Sequence, residues 1–572
     1  DFEVEEEEEE AKENNQKKTN HRKKKSAKKK KSQEEDEDLV KIDFDGIDQR
    51  ILSLGIELAN YHSLYVTKEN LLFIKSSISP INPDSHWMDD EGSYDLCRFN
   101  FKSKKVKVFL SDVEAVVLSK SLKYVLLETD GELRLLDVNS KPTEGESNNN
   151  KDGWIDLNRI KIKVTPRQEW AQMYREAWVL QRENFWTKDM SKVDWVKIYH
   201  RYQVLLPKVN TRSEFSDLMW EMQGELGTSH CYEFGGDYYK VDKKNLNGKL
   251  ASHLRWNKNS RSYAIEHILN GDSWIKNQDS PLNAPGINLI KGDEIYAVNG
   301  VPFETANSMY AELDGLVQKK TSLKIKRKGK TKFENIIVKP LESAGNTAYR
   351  EWVKSNQEHV HKKSKNKVGY LHIPDMSVKG FSEFYRHYLS EFRKESIIID
   401  VRYNGGGNIS QLILKMLKQK IIGYDTTRHY GDDPYPLYAI SGNIVCLTNE
   451  FAGSDGDIFS HSFKLMNLGK LIGKRTWGGV VGIWPRFGLV DGTFTTQPEF
   501  SFWFQDVGFG VENYGTEPDI DVEISPDDWT KGIDTQLDRS IAEALKGLKK
   551  TKILKIDLKS KPSLKLPKLP KT

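Results

Sequence analysis

Two β-branched runs, Ser396-Ile397-Ile398-Ile399-Asp400-Val401 and Asn443-Ile444-Val445-Cys446-Leu447-Thr448, are apolar at almost every position, and each ends in a glycine-bearing turn followed by helical spacing. A strand wetted on one face alternates polar and apolar residues, whereas one apolar throughout is buried on both faces. That demands a parallel sheet with helices packed on either side. The first run passes into Arg402-Tyr403-Asn404-Gly405-Gly406-Gly407-Asn408, whose glycines expose backbone N–H groups suited to a phosphate or an oxyanion. The loop lacks the Gly-Lys-Ser/Thr ending of a nucleotide site, which sets phosphate aside. The second run passes through Asn449-Glu450-Phe451-Ala452-Gly453-Ser454-Asp455-Gly456-Asp457 into Ile458, Phe459, Phe463, Leu465 and Met466 at helical spacing. Ser454 is thus expected at a helix N-terminus, where unpaired N–H groups and the positive dipole end favour developing negative charge. That suits a nucleophile, although Ser and Asp also serve there as plain helix caps.

At 572 residues the chain is too long for one core and is expected to be multidomain and mixed in class. Residues 1–38 form a charged low-complexity segment, acidic from Glu5 to Glu10, basic from Arg22 to Lys31 and acidic again from Glu34 to Asp38. With almost no apolar residues it is expected to be disordered, and its basic run is the one candidate for nucleic-acid binding. The formal net charge of +4 gives no whole-chain field for such a partner, and none is expected. Residues 39–164 carry short alternating strands, His62–Val66, Asn70–Ile74, Val106–Leu110 and Tyr124–Glu128, at the spacing of propeller blades or a sandwich. About two blades' worth cannot close a propeller, so further sheet is expected before Asp1. Residues 165–248 read as a small helical domain. Thr165-Pro166-Arg167-Gln168 suggests a capping box, and a further helix from near Ser213 ends in Gly224-Glu225-Leu226-Gly227-Thr228-Ser229-His230. In residues 249–342 the run from Ser280 to Gly300, with its Gly292-Asp293 turn, following strand and Asn299-Gly300 hairpin, resembles the middle of a PDZ domain, which implies binding of an extended peptide. Residues 343–548 are the α/β domain, and the Lys-, Leu- and Pro-rich residues 549–572 are expected to be a disordered tail.

A serine nucleophile needs a base, an orienter for that base and oxyanion donors. Among 13 histidines, His230 stands out because it sits on a glycine-flanked loop beside Ser229 and outside any apolar stripe. The N–H of Asp455, with that of Gly406 or Gly407, is placed to hold an oxyanion. Glu512 and Glu517 are candidate orienting carboxylates. No metal-ligand spacing or cofactor fingerprint is present, and Cys97, Cys231 and Cys446 are too scattered for a disulfide framework, which fits a reducing, cytoplasmic compartment. A periplasmic one stays open. No apolar run reaches the ~18 residues of a membrane span.

Five motifs in one order resemble the tricorn protease family: Gly227-Thr228-Ser229-His230, Asp400-Val401-Arg402-Tyr403-Asn404-Gly405-Gly406-Gly407, Ala452-Gly453-Ser454-Asp455-Gly456-Asp457, Arg475-Thr476-Trp477-Gly478-Gly479 and Glu512-Asn513-Tyr514-Gly515. The resemblance implies partial propeller blades, a helical domain, a PDZ-like domain and an α/β serine peptidase domain, covering roughly residues 40–545. It implies a Ser/His/Ser/Glu tetrad of Ser454, His230, Ser229 and Glu512, an oxyanion hole from the N–H groups of Gly407 and Asp455, and a specificity acid at Asp425, with Asp432 and Asp433 as rivals. Oligopeptide substrates, cut after basic or hydrophobic residues, and a homo-oligomer, a hexamer, are implied likewise. The related C-terminal processing peptidases use a lysine in a Thr-x-Gly-Lys-Gly context, and Gly479 stands where that lysine would be. A lysine dyad is thereby disfavoured. The competing reading is a non-catalytic peptide-binding scaffold of propeller and PDZ modules.

Overall fold

The computed structural model describes residues 42–568, apart from 52, 77–93, 130, 141, 143–151 and 238–245. The charged segment at 1–38 lies outside the described residues. Strands Asn60–Val66, Asn70–Ser76, Tyr94–Asn100 and Lys105–Val113 form one four-stranded antiparallel sheet. Ala115–Leu118, Tyr124–Thr129, Glu132–Asp137 and Trp154–Ile155 form a second. Leu72, Leu96, Phe109, Val116, Val125 and Leu127 make one buried cluster between them, so the inward residues of both sheets share a core.

Helices Pro166–Asn184, Trp195–Gln203 and Arg212–Gly224 follow, packed through Met173, Tyr174, Ala177, Phe215, Met219 and Met222. The capping box expected at Thr165 is not made. Pro166 does open the helix, but the Gln168 N–H bonds the Thr165 carbonyl (2.9 Å) and the threonine side chain caps nothing. The box belongs instead to Thr211 and Glu214 at the third helix. The next sheet runs Ser252–Asn257, Ser262–Ile268, Glu294–Val298, Thr321–Lys326 and Phe333–Val338 in spatial order, all antiparallel. Asn299 and Gly300, both at positive φ, turn the chain from Glu294–Val298 into Val301–Pro302.

The two apolar runs lie side by side in a five-stranded parallel sheet of order Val368–His372, Ser396–Asp400, Ile444–Thr448, Gly469–Gly473, Ile520–Asp521. Every residue of the first three strands is buried. Helices Val378–Glu391, Ser410–Leu417 and Asp455–Leu465 cover one face through Phe384, Tyr388, Ile413, Phe459 and Phe463. Gly345–Ser364 and Thr535–Leu548 cover the other through Val353, Val360, Leu537 and Ile541. Residues 552–568 run without regular structure except the turn Leu558–Ser560, and Tyr424 donates to the Leu554 carbonyl at 2.9 Å. All three cysteines are free and buried. Among the described residues no helix is long and apolar enough to cross a membrane.

A short antiparallel pair, Glu233–Gly235 with Thr493–Thr495, ties the helical segment to the α/β domain. Beside it the buried guanidinium of Arg212 meets Glu233 at 2.9 Å and Asp491 at 2.7 Å, and Gln181 donates to the Thr496 carbonyl at 2.8 Å. This seam carries the loop holding His230 to the sheet edge.

Candidate active site

The strand Ile444–Thr448 leaves the sheet through a tight turn in which the Ala452 N–H bonds the Asn449 carbonyl and the Gly453 N–H bonds the Asn404 carbonyl, both at 3.0 Å. Ser454 then sits at the N-cap of Asp455–Leu465 with φ 56° and ψ −121°, a conformation costly for a residue with a Cβ. Such a strained strand-to-helix turn lifts a serine hydroxyl clear of its own backbone. The glycine loop faces it: a Cβ on Gly406 would lie 2.5 Å from Ser454 Cβ, and one on Gly407, at φ +146°, would lie 2.0 Å from the Met376 carbonyl oxygen. Neither position admits another residue without movement.

The Gly406 N–H is committed to Asn404 Oδ1 at 2.9 Å. Among the described residues, no hydrogen bond engages the N–H of Gly407 or that of Asp455. The Asp455 side chain is turned away, accepting from the N–H (2.9 Å) and hydroxyl of Ser410, and burial pushes its carboxyl above the usual range. Two unspent donors therefore flank the serine.

On the other side of the site, His230 Nδ1 and Ser229 Oγ lie 2.8 Å apart, and Ser229 Oγ donates to Glu512 Oε2 at 3.2 Å. A carboxylate offers only acceptors, so the single hydroxyl proton of Ser229 is spent on Glu512. The hydroxyl must then accept from Nδ1–H, which leaves Nε2 with its lone pair and no partner among the described residues. Burial holds the imidazole below its usual pKa, against the opposing pull of Glu512, so the neutral base form is favoured. Glu512 also accepts from Thr228 Oγ1 (3.0 Å) and from the N–H groups of Ser229 (2.6 Å), Val480 (2.6 Å) and Val481 (3.0 Å).

No hydrogen bond joins Ser454 to His230 among the described residues. The indole of Trp477 packs between the imidazole and the glycine before Ser454, its centroid 5.6 Å from the imidazole and its Cε3 2.7 Å from where a Cβ on Gly453 would lie. A cavity of about 400 Å³ opens alongside, lined by Gly227, Thr228, Ser229, Trp477, Gly478 and Asn513. Glu517 is elsewhere, bonded to Tyr514 Oη at 3.0 Å and facing Arg475. Asp425 is exposed on the hairpin Gly423–Thr426/Asp432–Tyr435, opposite Asp433, and among the described residues no hydrogen bond or ion pair joins it to Ser454 or His230. Asp432 is bonded by Thr426, and Asp433 is paired with Arg393. The amides of Val480 and Val481 leave no mark in the sequence, because a backbone donor has no residue signature, and the hydroxyl of Thr228 finds Glu512 only through tertiary docking.

Comparison with known proteins gives three family matches in chain order: the tricorn protease C1 domain at residues 166–224, the tricorn protease PDZ domain at 248–343 and peptidase family S41 at 367–522. A tricorn protease homolog of Saccharolobus solfataricus is 43% identical over 506 residues, 88% of this chain and 46% of that protein. The chain belongs to the tricorn protease family. A tricorn protease of Thermoplasma volcanium is 38% identical over 503 residues, 87% of this chain and 47% of that one. The crystal structure of the tricorn protease superposes with a TM-score of 0.79 at 34% identity, covering 86% of this chain and 47% of the other. The fold is therefore tricorn-like, with a PDZ domain and an S41 peptidase domain. This tricorn-family chain spans about half the length of the relatives it matches.

Proposed function

We propose that the chain is a serine peptidase that hydrolyses peptide bonds in oligopeptides through Ser454, His230, Ser229 and Glu512. The observation that carries this reading is the continuous hydrogen-bonded chain from Glu512 through Ser229 to His230 Nδ1, which fixes the base tautomer on the side of the histidine left unpartnered. His230 Nε2 takes the proton as Ser454 Oγ attacks the scissile carbonyl, and the imidazolium formed is stabilised through Ser229 by the Glu512 carboxylate. The N–H groups of Gly407 and Asp455 receive the oxyanion, each such donor being worth roughly 2.7–4 kcal/mol. Bonds of this kind often tighten only once substrate is bound, so the missing Ser454–His230 bond is the one that substrate closes. On the same reading Asp425 attracts a basic substrate side chain, the two N-terminal sheets are propeller blades, and the chain works in the cytoplasm as a homo-oligomer, a hexamer.

Ser454→Ala should abolish turnover of a fluorogenic peptide and labelling by a serine-directed phosphonate, and His230→Ala should suppress both while leaving the fold unchanged. Retained turnover by Ser454→Ala rejects the assignment. Peptide binding with neither turnover nor label would establish the scaffold reading instead.

A further inference from the structure

Five consecutive backbone N–H groups lie between the serine and its proposed base, and each has a defined acceptor. Trp477 donates to the Ala452 carbonyl at 3.0 Å. Gly478 and Gly479 donate to the two oxygens of Asp457 at 2.8 and 3.2 Å. Val480 and Val481 donate to Glu512. Asp457 stands in the first turn of the helix that begins after Ser454 and is fully buried, and Glu512 holds Ser229. The segment is thus a strap stretched between two carboxylates, one fixed to the serine and the other to the histidine's support. Its only large side chain near the centre is Trp477, the ring that touches both halves. Gly479 is sealed beneath that ring, since a Cβ there would lie 2.2 Å from Trp477 Cζ3. The position that carries a lysine in the processing peptidases therefore offers its amide to Asp457 and has no room for a side chain.

We propose that Asp457 is a positioning residue that sets the separation of Ser454 Oγ and His230 Nε2 by anchoring residues 477–481 to the serine helix. The inference rests on the peptidase reading but assigns Asp457 no contact with substrate. Asparagine has the same shape but offers a single acceptor oxygen where the carboxylate uses two, so one glycine amide loses its partner and the strap slackens. Near-attack geometry is steep: an ångström of misplacement costs about 100-fold in rate.

The test uses the full chain and its Asp457→Asn and Asp457→Ala variants, with Ser454→Ala as the zero. Turnover of a fluorogenic peptide, the rate of phosphonate labelling of Ser454 and hydrogen exchange over residues 476–481 and 396–401 are measured well below the melting temperature. Asp457→Asn should lower kcat by about 100-fold with KM changed by less than about twofold, and should slow labelling in parallel. It should also speed exchange at 476–481 while leaving 396–401 as in the parent. A parent-like kcat in a turnover that Ser454→Ala abolishes, a loss confined to KM, or unchanged exchange at 476–481 overturns the proposal. A parent chain without Ser454-dependent turnover would sink the peptidase reading instead, and the exchange data would then decide the strap alone. If Asp457→Ala fails to fold, Asp457→Asn carries the test.

Discussion

Replacing Glu512 by glutamine keeps the volume and removes the charge, and the consequence follows from the five donors that converge on it. If the amide nitrogen replaces Oε2, it faces the N–H groups of Val480 and Val481. If it replaces Oε1, it faces the Ser229 N–H, while the Thr228 hydroxyl can turn to accept. The second orientation is cheaper, yet it still leaves one backbone donor unpaired, at about 1–3 kcal/mol. It also converts the three charge-assisted bonds at the Oε2 position, from the Ser229 hydroxyl and the Val480 and Val481 N–H groups, to neutral ones, each weaker by roughly 1 kcal/mol before solvent screening. The site is only partly buried, so the sum should fall at about 2–4 kcal/mol. For a domain of this size that lowers its melting transition by roughly 4–16 °C, to be followed by tryptophan fluorescence. Glu517→Gln is the control: among the described residues the carboxylate of this exposed acid meets a tyrosine and a distant arginine, and its loss should cost under about 1 kcal/mol. A Glu512→Gln chain that melts within a degree of the parent and keeps its kcat would refute the assignment of Glu512 as the acceptor that unites Ser229 with the strap.

Two further outcomes follow from burial. His230 has its pKa lowered, so protonation inactivates the base only below 6.5, and the acid limb of kcat/KM should have its midpoint under pH 6.5. Since the unfolded chain takes up that proton first, the group's contribution to stability is present above 6.5 and lost as pH falls. Asp457 runs oppositely: burial raises it from 3.8 to about 6, so its contribution grows as pH falls through 6, by roughly 3 kcal/mol in all, and a melting series of the parent against Asp457→Asn should show that slope. An acid limb centred above 6.5 contradicts the first outcome, and parallel melting series contradict the second. Arg212→Met strands two buried carboxylates at the seam between the helical segment and the α/β domain. It should cost about 3–5 kcal/mol in a denaturant melt and loosen the histidine loop, and a cost under about 1 kcal/mol would show the seam is held by other contacts.

The α/β core was legible because burial on both faces leaves a plain mark: Ile397–Ile399 and Ile444–Leu447 have no polar phase, and their strands sit where that pattern puts them. The Ser454 turn was legible for the same reason, being the first break after such a run. Thr165 is the N-cap that the sequence predicts, but the capping box is absent because side-chain caps compete with backbone bonding in a tight first turn, and residue types do not record which wins. The seam strands Glu233–Gly235 and Thr493–Thr495 are three residues each, too short for periodicity, and their pairing is set by tertiary docking. The chain from Glu512 to His230 was reachable only through resemblance, since nothing local in either segment specifies a partner so far away. The strap was invisible for a simpler reason: its chemistry lies entirely in amides.

Ser229 and the acid that orders it are separated by 283 positions. A chain emerging from the ribosome therefore displays its histidine before its serine, but it has nothing to hold the imidazole in the basic tautomer until the segment around Glu512 has been made. On the peptidase reading, competence is deferred until that late segment has been made, which spares the growing chain and its neighbours from a hydrolase still learning its shape.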